Sequence, residues 1–418
     1  MLYPRMMLIR QHFDAPTLQD ISGAIRQELA KLPLSDRIRP GDSVAITVGS
    51  RGIANMALII KILVEELKTH GANPFIVPAM GSHGGGTAEG QRAIVEAYGV
   101  TEDFIGAPIH ASMEVVQVGS IEDGIPVFFD KCAHEADHVA IVARIKPHTD
   151  FSGEIESGLH KMMLIGLGKH RGASLYHQAF AHYSFGHIVR SVGQTVIKNC
   201  NILLGLAIVE NQFDETALIK SVAPEEFLAR EKELLILAKK LIPRLPFHQV
   251  DLLIVDQIGK DVSGTGMDTN VIGRKDYLYP CNEEVLPKVT RIYVRDLTKK
   301  THGNATGIGI ADYTHTRLVN KTDFDSTYIN CLTGDNPKAA AIPIHYNTDS
   351  KVLDVALKTV GYVKPENAKV IRIRNTLDLK EIMVSEAYQA EMKGRDDLEI
   401  IEPVKEMGFG EDGSLLPF

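Results

Sequence analysis

Apolar, β-branched runs that end in polar or glycine-rich turns, with helically spaced apolar segments between them, recur through the first half of this 418-residue chain. Residues 43–49 (SVAITVG) form one such run, and its shortness and branching predict a buried strand. Residues 54–70 follow with apolar residues at helical spacing, and Gly71 stands where a left-handed residue closes a helix. Residues 74–80 (PFIVPAM) predict a second strand and 87–98 a second helix. Two further strands are read at 138–145 (HVAIVARI) and 202–209 (ILLGLAIV). Strands alternating with helices bury both faces of a sheet, so this pattern predicts a mainly parallel sheet covered on each side.

The second half repeats the theme. Pro224 suits the first turn of a helix running to about residue 241, and Pro243 and Pro246 end it. A new strand at 250–256 (VDLLIVD) follows. A helix, a double-proline break and a fresh strand mark a linker. The expected division is therefore 1–245 and 246–418, two α/β domains with mainly parallel sheets and the active site in the cleft between them. Further strands are read near 289–294 and at 369–374, and a helix near 352–360. Residues 408–418 read as a glycine-rich surface tail.

Composition removes several classes. Lys and Arg number 45 against 53 Asp and Glu, a net charge of -8, so a basic nucleic-acid-binding face is not expected. No apolar run reaches membrane-spanning length. The first residues are interrupted by Gln11, His12 and Asp14, unlike a signal peptide. Four cysteines occur with no CxxC pair, which fits a reducing cytoplasm. Sixteen histidines, many between His134 and His187, point instead to proton transfer or metal ligation.

Three strand-to-helix loops carry the chemistry, and in open α/β sheets ligands bind at the carboxyl ends of strands. The first is Val48-Gly49-Ser50-Arg51-Gly52. Its free N–H groups and the Arg51 fork suit a phosphate or carboxylate, or else make a tight turn with a solvated arginine. The second, Gly81-Ser82-His83-Gly84-Gly85-Gly86, leaves one imidazole uncovered among glycines, as an acid/base group or as an incidental turn residue. It is neither a GxGxxG fingerprint nor a P-loop. The third begins at Lys146-Pro147-His148 and runs through Ser157-Gly158-Leu159-His160-Lys161 to His170 and His177. Lys161, beside an apolar run, is either a half-buried nucleophilic amine or a snorkelling side chain. The histidines lack zincin spacing, and spacing alone specifies no metal site.

These loops together resemble the nickel-pincer lactate racemase family of 2-hydroxyacid racemases and epimerases. Arg51 stands at the family's arginine position, in a loop similar to Asp-Val-Thr-Arg. His83 in GSHGGG resembles the first catalytic histidine, and His148 in KPHTDFSG the second. Lys161 in SGLHKMMLIGLG resembles the lysine that carries the cofactor, and His177 in YHQAF the histidine that ligates nickel. The resemblance implies an isomerase whose cofactor is a pyridinium-3,5-bisthiocarboxylic acid mononucleotide holding nickel in an S,C,S pincer. It would be joined to Lys161 by a thioamide and contacted by Ser50 and Arg51. His83 and His148 would serve as bases on opposite faces of the substrate, which loses and regains its Cα hydrogen as hydride through a planar keto acid. The implied partners are the cofactor-synthesis enzymes and a small 2-hydroxy acid; oligomeric state is unreadable.

The chain departs from the family in two places. Val48 replaces an acidic residue at the start of the arginine loop. In the second half, Met267-Asp268-Thr269-Asn270 resembles the start of the lactate-binding segment, but Gly273 falls where a glutamine is expected. Arg274 or Lys275 then stands in for the family's lysine, and Lys260 in IGKDVSGTG is a further substrate candidate. The expected substrate is therefore a larger or more hydroxylated acid than lactate. Two other readings of the same crevice are a nicotinamide-dependent hydroxyacid dehydrogenase and a non-catalytic nucleotide- or metal-binding protein.

Overall fold

The computed structural model describes residues 2–50, 52–180, 182–275 and 286–418. The chain folds as two compact units. One comprises residues 15–148 and 152–242; the other comprises 1–14, 149–151 and 243–418. The break at 242/243 falls at the double-proline linker. The N-terminal segment, counted by sequence with the first domain, joins the second unit, because strand β1 (Met6–Gln11) finds its hydrogen-bond partners there.

The N-terminal unit holds β2 (Ser43–Val48), β3 (Asn73–Pro78), a hairpin of β4 (Val115–Ser120) and β5 (Pro126–Asp130), then β6 (His138–Arg144), β7 (Ile202–Glu210) and β8 (Thr216–Val222). Its main sheet runs β3-β2-β6-β7-β8, parallel except for β8. β7 is buried along its whole length, as its unbroken apolar run requires of a strand covered on both faces. Val44, Ile46 and Val48 pack against the helix Met56–Thr69 in one core cluster. On the opposite face, Gly205 admits Phe227 and Leu159 so closely that a Cβ would lie 2.8 Å from each.

The C-terminal unit holds β9 (Gln249–Ile258), β10 (Lys288–Leu297), β11 (Tyr313–His315), β12 (Ile344–Tyr346), β13 (Val370–Ile373), β14 (Glu381–Ser385) and β15 (Leu398–Lys405). Its eight-stranded sheet is ordered β12-β11-β10-β9-β13-β14-β1-β15. The first five strands are parallel, and β14, β1 and β15 add an antiparallel edge. The fold is thus mixed α/β with mainly parallel sheets. Residues 408–418 differ from the expected surface tail: Leu415 is buried, and Phe409 bridges back to it. No described helix is long and apolar enough to cross a membrane.

Candidate active site

β3, β2 and β6 are neighbours running in the same direction, so the loops that leave their carboxyl ends emerge side by side. The β2 loop lies in the middle, with the His83 loop to one side and the His148 loop to the other. The convergence expected from sequence is a consequence of this strand order.

Ser50, at the end of β2, meets Nδ1 of His83 through its hydroxyl. The Tyr98 hydroxyl donates to the Ser50 carbonyl at 2.7 Å and holds the loop from behind. Val48 is buried in the core, which explains why an apolar residue fits at a position where the resemblance expects an acid. Arg51 lies outside the described residues.

The glycines around His83 are needed for the backbone path. Gly84, Gly85 and Gly86 all have positive φ, and a Cβ on Gly84 would come within 2.6 Å of the Gln91 backbone. Gln91 is fully buried and donates to Gly81 O at 2.8 Å and His83 O at 3.3 Å. The loop is therefore braced, and His83 itself is exposed.

Lys146 and Ser157 pair across the base of the third loop. Glu156, buried within it, accepts the His148 N–H at 2.7 Å and an ion pair from Lys239 at 2.9 Å. The His148 ring packs on Phe185 at 5.8 Å, Phe185 on Phe180 at 5.2 Å, and Phe180 edge-on to His177 at 5.6 Å. An apolar aromatic seam thus links the two half-buried histidines.

Lys161 closes the short helix Leu159–Lys161, and a single π-helical turn, Met162–Gly166, follows at once. Such turns are rare and concentrate at functional sites. Lys161 is half-buried. The neighbouring histidine and lysine have other roles. His160 is sealed inside the unit, its Nδ1 2.7 Å from Glu231 Oε2, which also accepts the His160 N–H at 3.0 Å. Lys169 is 0% exposed, 3.0 Å from Asp130 and bonded to the Pro78 carbonyl. Burial pushes the Asp130 carboxyl up from its ordinary range, against the pull of Lys169. Tyr176, beside His177, is fully buried, and burial pushes its phenol up to about 12. His160, Lys169 and Tyr176 are framework.

Among the described residues no group of three or more His, Cys, Asp or Glu is placed to hold a metal by itself. A single imidazole such as His177 holds a metal only beside donors brought by a bound organic group. A Cβ on Gly49 would lie 3.1 Å from Met162 Cε, and one on Gly81 3.0 Å from Ile165 Cγ2. The two glycines thus let the β2 and β3 loops pack closely on the turn that follows Lys161.

Lys260 and Arg274 lie in the C-terminal unit. Lys260 donates to Gly264 O at 2.8 Å within its own loop. The Arg274 fork bonds Ile310 O at 2.6 Å, Thr290 O at 3.2 Å and the Asp312 carboxylate. Asp268 caps the helical turn Thr269–Ile272, and Gly273 ends it with φ of 67°. A Cβ on Gly273 would lie 1.7 Å from Pro287 O, so a glutamine cannot occupy this position without moving the backbone.

Sequence reading missed the supporting carboxylates and amide. Glu231 was the most readable: it falls on the apolar stripe Phe227, Glu231, Leu234, Leu235, Ala238, where an acid needs a buried partner. Glu156 and Gln91 carry no comparable signal.

Residues 9–186 match the family model of the lactate racemase N-terminal domain. Among solved structures, the chain resembles the lactate racemase apoprotein from Thermoanaerobacterium thermosaccharolyticum. The TM-score is 0.54 at 12% identity, over 88% of this chain and 94% of that one. No curated protein sequence matches the chain.

Proposed function

We propose that this chain, whose residues 9–186 match the family model of the lactate racemase N-terminal domain, racemises or epimerises a 2-hydroxy acid. The substrate is larger or more hydroxylated than lactate. The observation that carries the reading is the strand order: His83 and His148 follow β3 and β6, which flank β2 on its two sides. Two bases on opposite sides of one loop suit a reaction that must serve both enantiomers.

In this reading Lys161 tethers the cofactor through a thioamide, His177 ligates its nickel, and Ser50 and Arg51 contact its polar groups. When bound, the nickel-pincer pyridinium supplies a reversible acceptor for the Cα hydrogen and its electron pair. The chain's own residues handle the protons. One histidine takes the hydroxyl proton as the Cα–H bond breaks, leaving a planar 2-keto acid. The other protonates the oxygen when the hydrogen returns to the opposite face. Arg51 clamps the carboxylate with its fork. Lys260 and Arg274 are the proposed substrate contacts of the second domain. The enzyme works in the cytoplasm, where the cofactor-synthesis enzymes load it.

The test is co-expression with cofactor-synthesis enzymes, followed by intact mass, metal analysis and isomer exchange on a panel of 2-hydroxy and sugar acids. Covalent added mass, nickel and interconversion without solvent deuterium entering Cα are expected. Reduction of free NAD by unmodified protein would favour the dehydrogenase reading. Nickel with no exchange on any acid would favour a binding protein. With cofactor loaded, His83→Ala and His148→Ala should each oxidise one enantiomer only, and opposite ones. Loss of the same enantiomer in both overturns the two-base assignment.

A further inference from the structure

A cavity of about 420 Å³ opens in the C-terminal unit, lined by Arg295, Arg317, Arg372 and Arg374 together with Asp256 and Asp296. It lies toward the carboxyl ends of β9, β10 and β13. After β9 the chain adds β10, β11 and β12 on one side, and only later returns to add β13 on the other. That is a topological switch point, the place where open parallel sheets leave a crevice for ligands. Asp256, Arg295 and Arg372 continue the strand faces of Ile254, Tyr293 and Val370. The Lys260–Arg274 region packs on the other face, through Met267, Val271 and Ile272 against Leu253 and Val255. The cavity is thus separate from the substrate contacts proposed above.

Its floor is rigid. Arg372 grips Asp256 through Nε at 2.9 Å and Nη2 at 3.0 Å, and Arg295 reaches the same carboxylate at 2.8 Å. Arg295 also binds Asp349 at 2.6 Å, and Arg317 binds it at 3.1 Å. Arg295 and Arg372 are 11% and 5% exposed. Phe418 lies against Arg372 and Arg374, its ring centre 4.9 Å from each guanidinium carbon.

Arg295, Arg317 and Arg372 share Asp256 and Asp349, Arg317 also reaches Asp296 at 3.7 Å beside Lys321 at 2.7 Å, and Arg374 pairs with Asp378 at 3.2 Å. Nη1 of Arg317 makes no hydrogen bond among the described residues. Arg317 and Arg374 are 29% and 38% exposed at the rim. A concave array of four guanidinium forks, held in place and with donors still turned to the rim, suits an oxyanion.

We infer that this cavity binds a compact polyanion, either a phosphate group or a di- or tricarboxylate. The experiment is calorimetric titration of the full chain with inorganic phosphate and with citrate, using acetate as the monovalent control. One saturable site is expected for phosphate or citrate, weakening as salt rises. Arg317→Gln with Arg374→Gln should weaken it by about ten-fold or more, as loss of charge-assisted bonds does. Both residues are on the rim, so an unchanged melting curve will show the fold intact; Arg317→Gln alone serves if the pair does not fold. Lys161→Ala should leave the affinity unchanged. The inference is overturned if neither anion saturates below about 10 mM. It is equally overturned if acetate binds as well as citrate, if the arginine variants bind like wild type, or if Lys161→Ala abolishes binding.

Discussion

The hydroxyl of Ser50 hydrogen-bonds Nδ1 of His83, tying together the loops that leave the neighbouring strands β2 and β3. When Nδ1 carries the proton and donates to Ser50, Nε2 is left as the bare base. Ser50→Ala should therefore lower kcat about ten-fold, the usual effect of losing an imidazole's orienting partner. The pH–rate profile should shift while the melting temperature stays put. A profile identical to wild type would remove Ser50 from this role.

Lys161 and Lys169 are eight residues apart on paper and opposite in behaviour. Lys161→Ala should abolish covalent cofactor attachment, read by intact mass, with little loss of stability. Lys169→Ala leaves Asp130 buried without its ion pair, and should cost about 3 to 5 kcal/mol. Persistence of the added mass in Lys161→Ala would place the tether elsewhere.

His177→Ala should lower nickel content while the covalent organic mass remains, because losing a metal ligand leaves a thioamide intact. Metal analysis paired with mass spectrometry checks it. His160→Ala should instead destabilise the protein, since it strands Glu231 in the interior. Nickel lost equally from both variants would count against the assignment of His177.

Asp349 offers a pH test. Burial alone would push its carboxyl up, but Arg295, the Tyr293 hydroxyl and the Leu415 N–H outweigh it and hold the carboxyl well below the ordinary range. The unfolded chain therefore takes up the proton first as pH falls. The stabilisation is whole above about pH 4, the ordinary aspartate range, and fades as pH drops through and below it. Asp349→Ala should cost about 3 kcal/mol near neutrality. In urea unfolding, the gap between wild type and variant should narrow at pH 3. A gap that is constant from pH 7 to pH 3 would contradict it.

Locally encoded features were legible. The runs 43–49, 138–145 and 202–209 are strands within a residue or two, because branching, length and flanking glycines act within one segment. The GSHGGG loop announced its own backbone, since only glycine accepts that succession of positive φ. The order of the arginine, histidine and lysine motifs was likewise readable along the chain. β1 was not: Met6–Gln11 is a strand because it lies between β14 and β15, whose residues arrive more than 370 positions later. The same holds for Arg274, whose fork is engaged by Asp312 and by two backbone carbonyls.

By itself, then, the sequence determined the strand–helix alternation, the two α/β units and the loops in which chemistry is concentrated, since period, turn chemistry and motif spacing are properties of neighbouring residues. Only the tertiary structure decided which member of a dense cluster is exposed and which is sealed. His160 and His177 fall in one histidine-rich stretch, and spacing alone does not separate them. His160 is buried because Glu231, 71 residues away, reaches it across the packed interior, and a contact made by chain folding at that separation leaves no mark on local pattern.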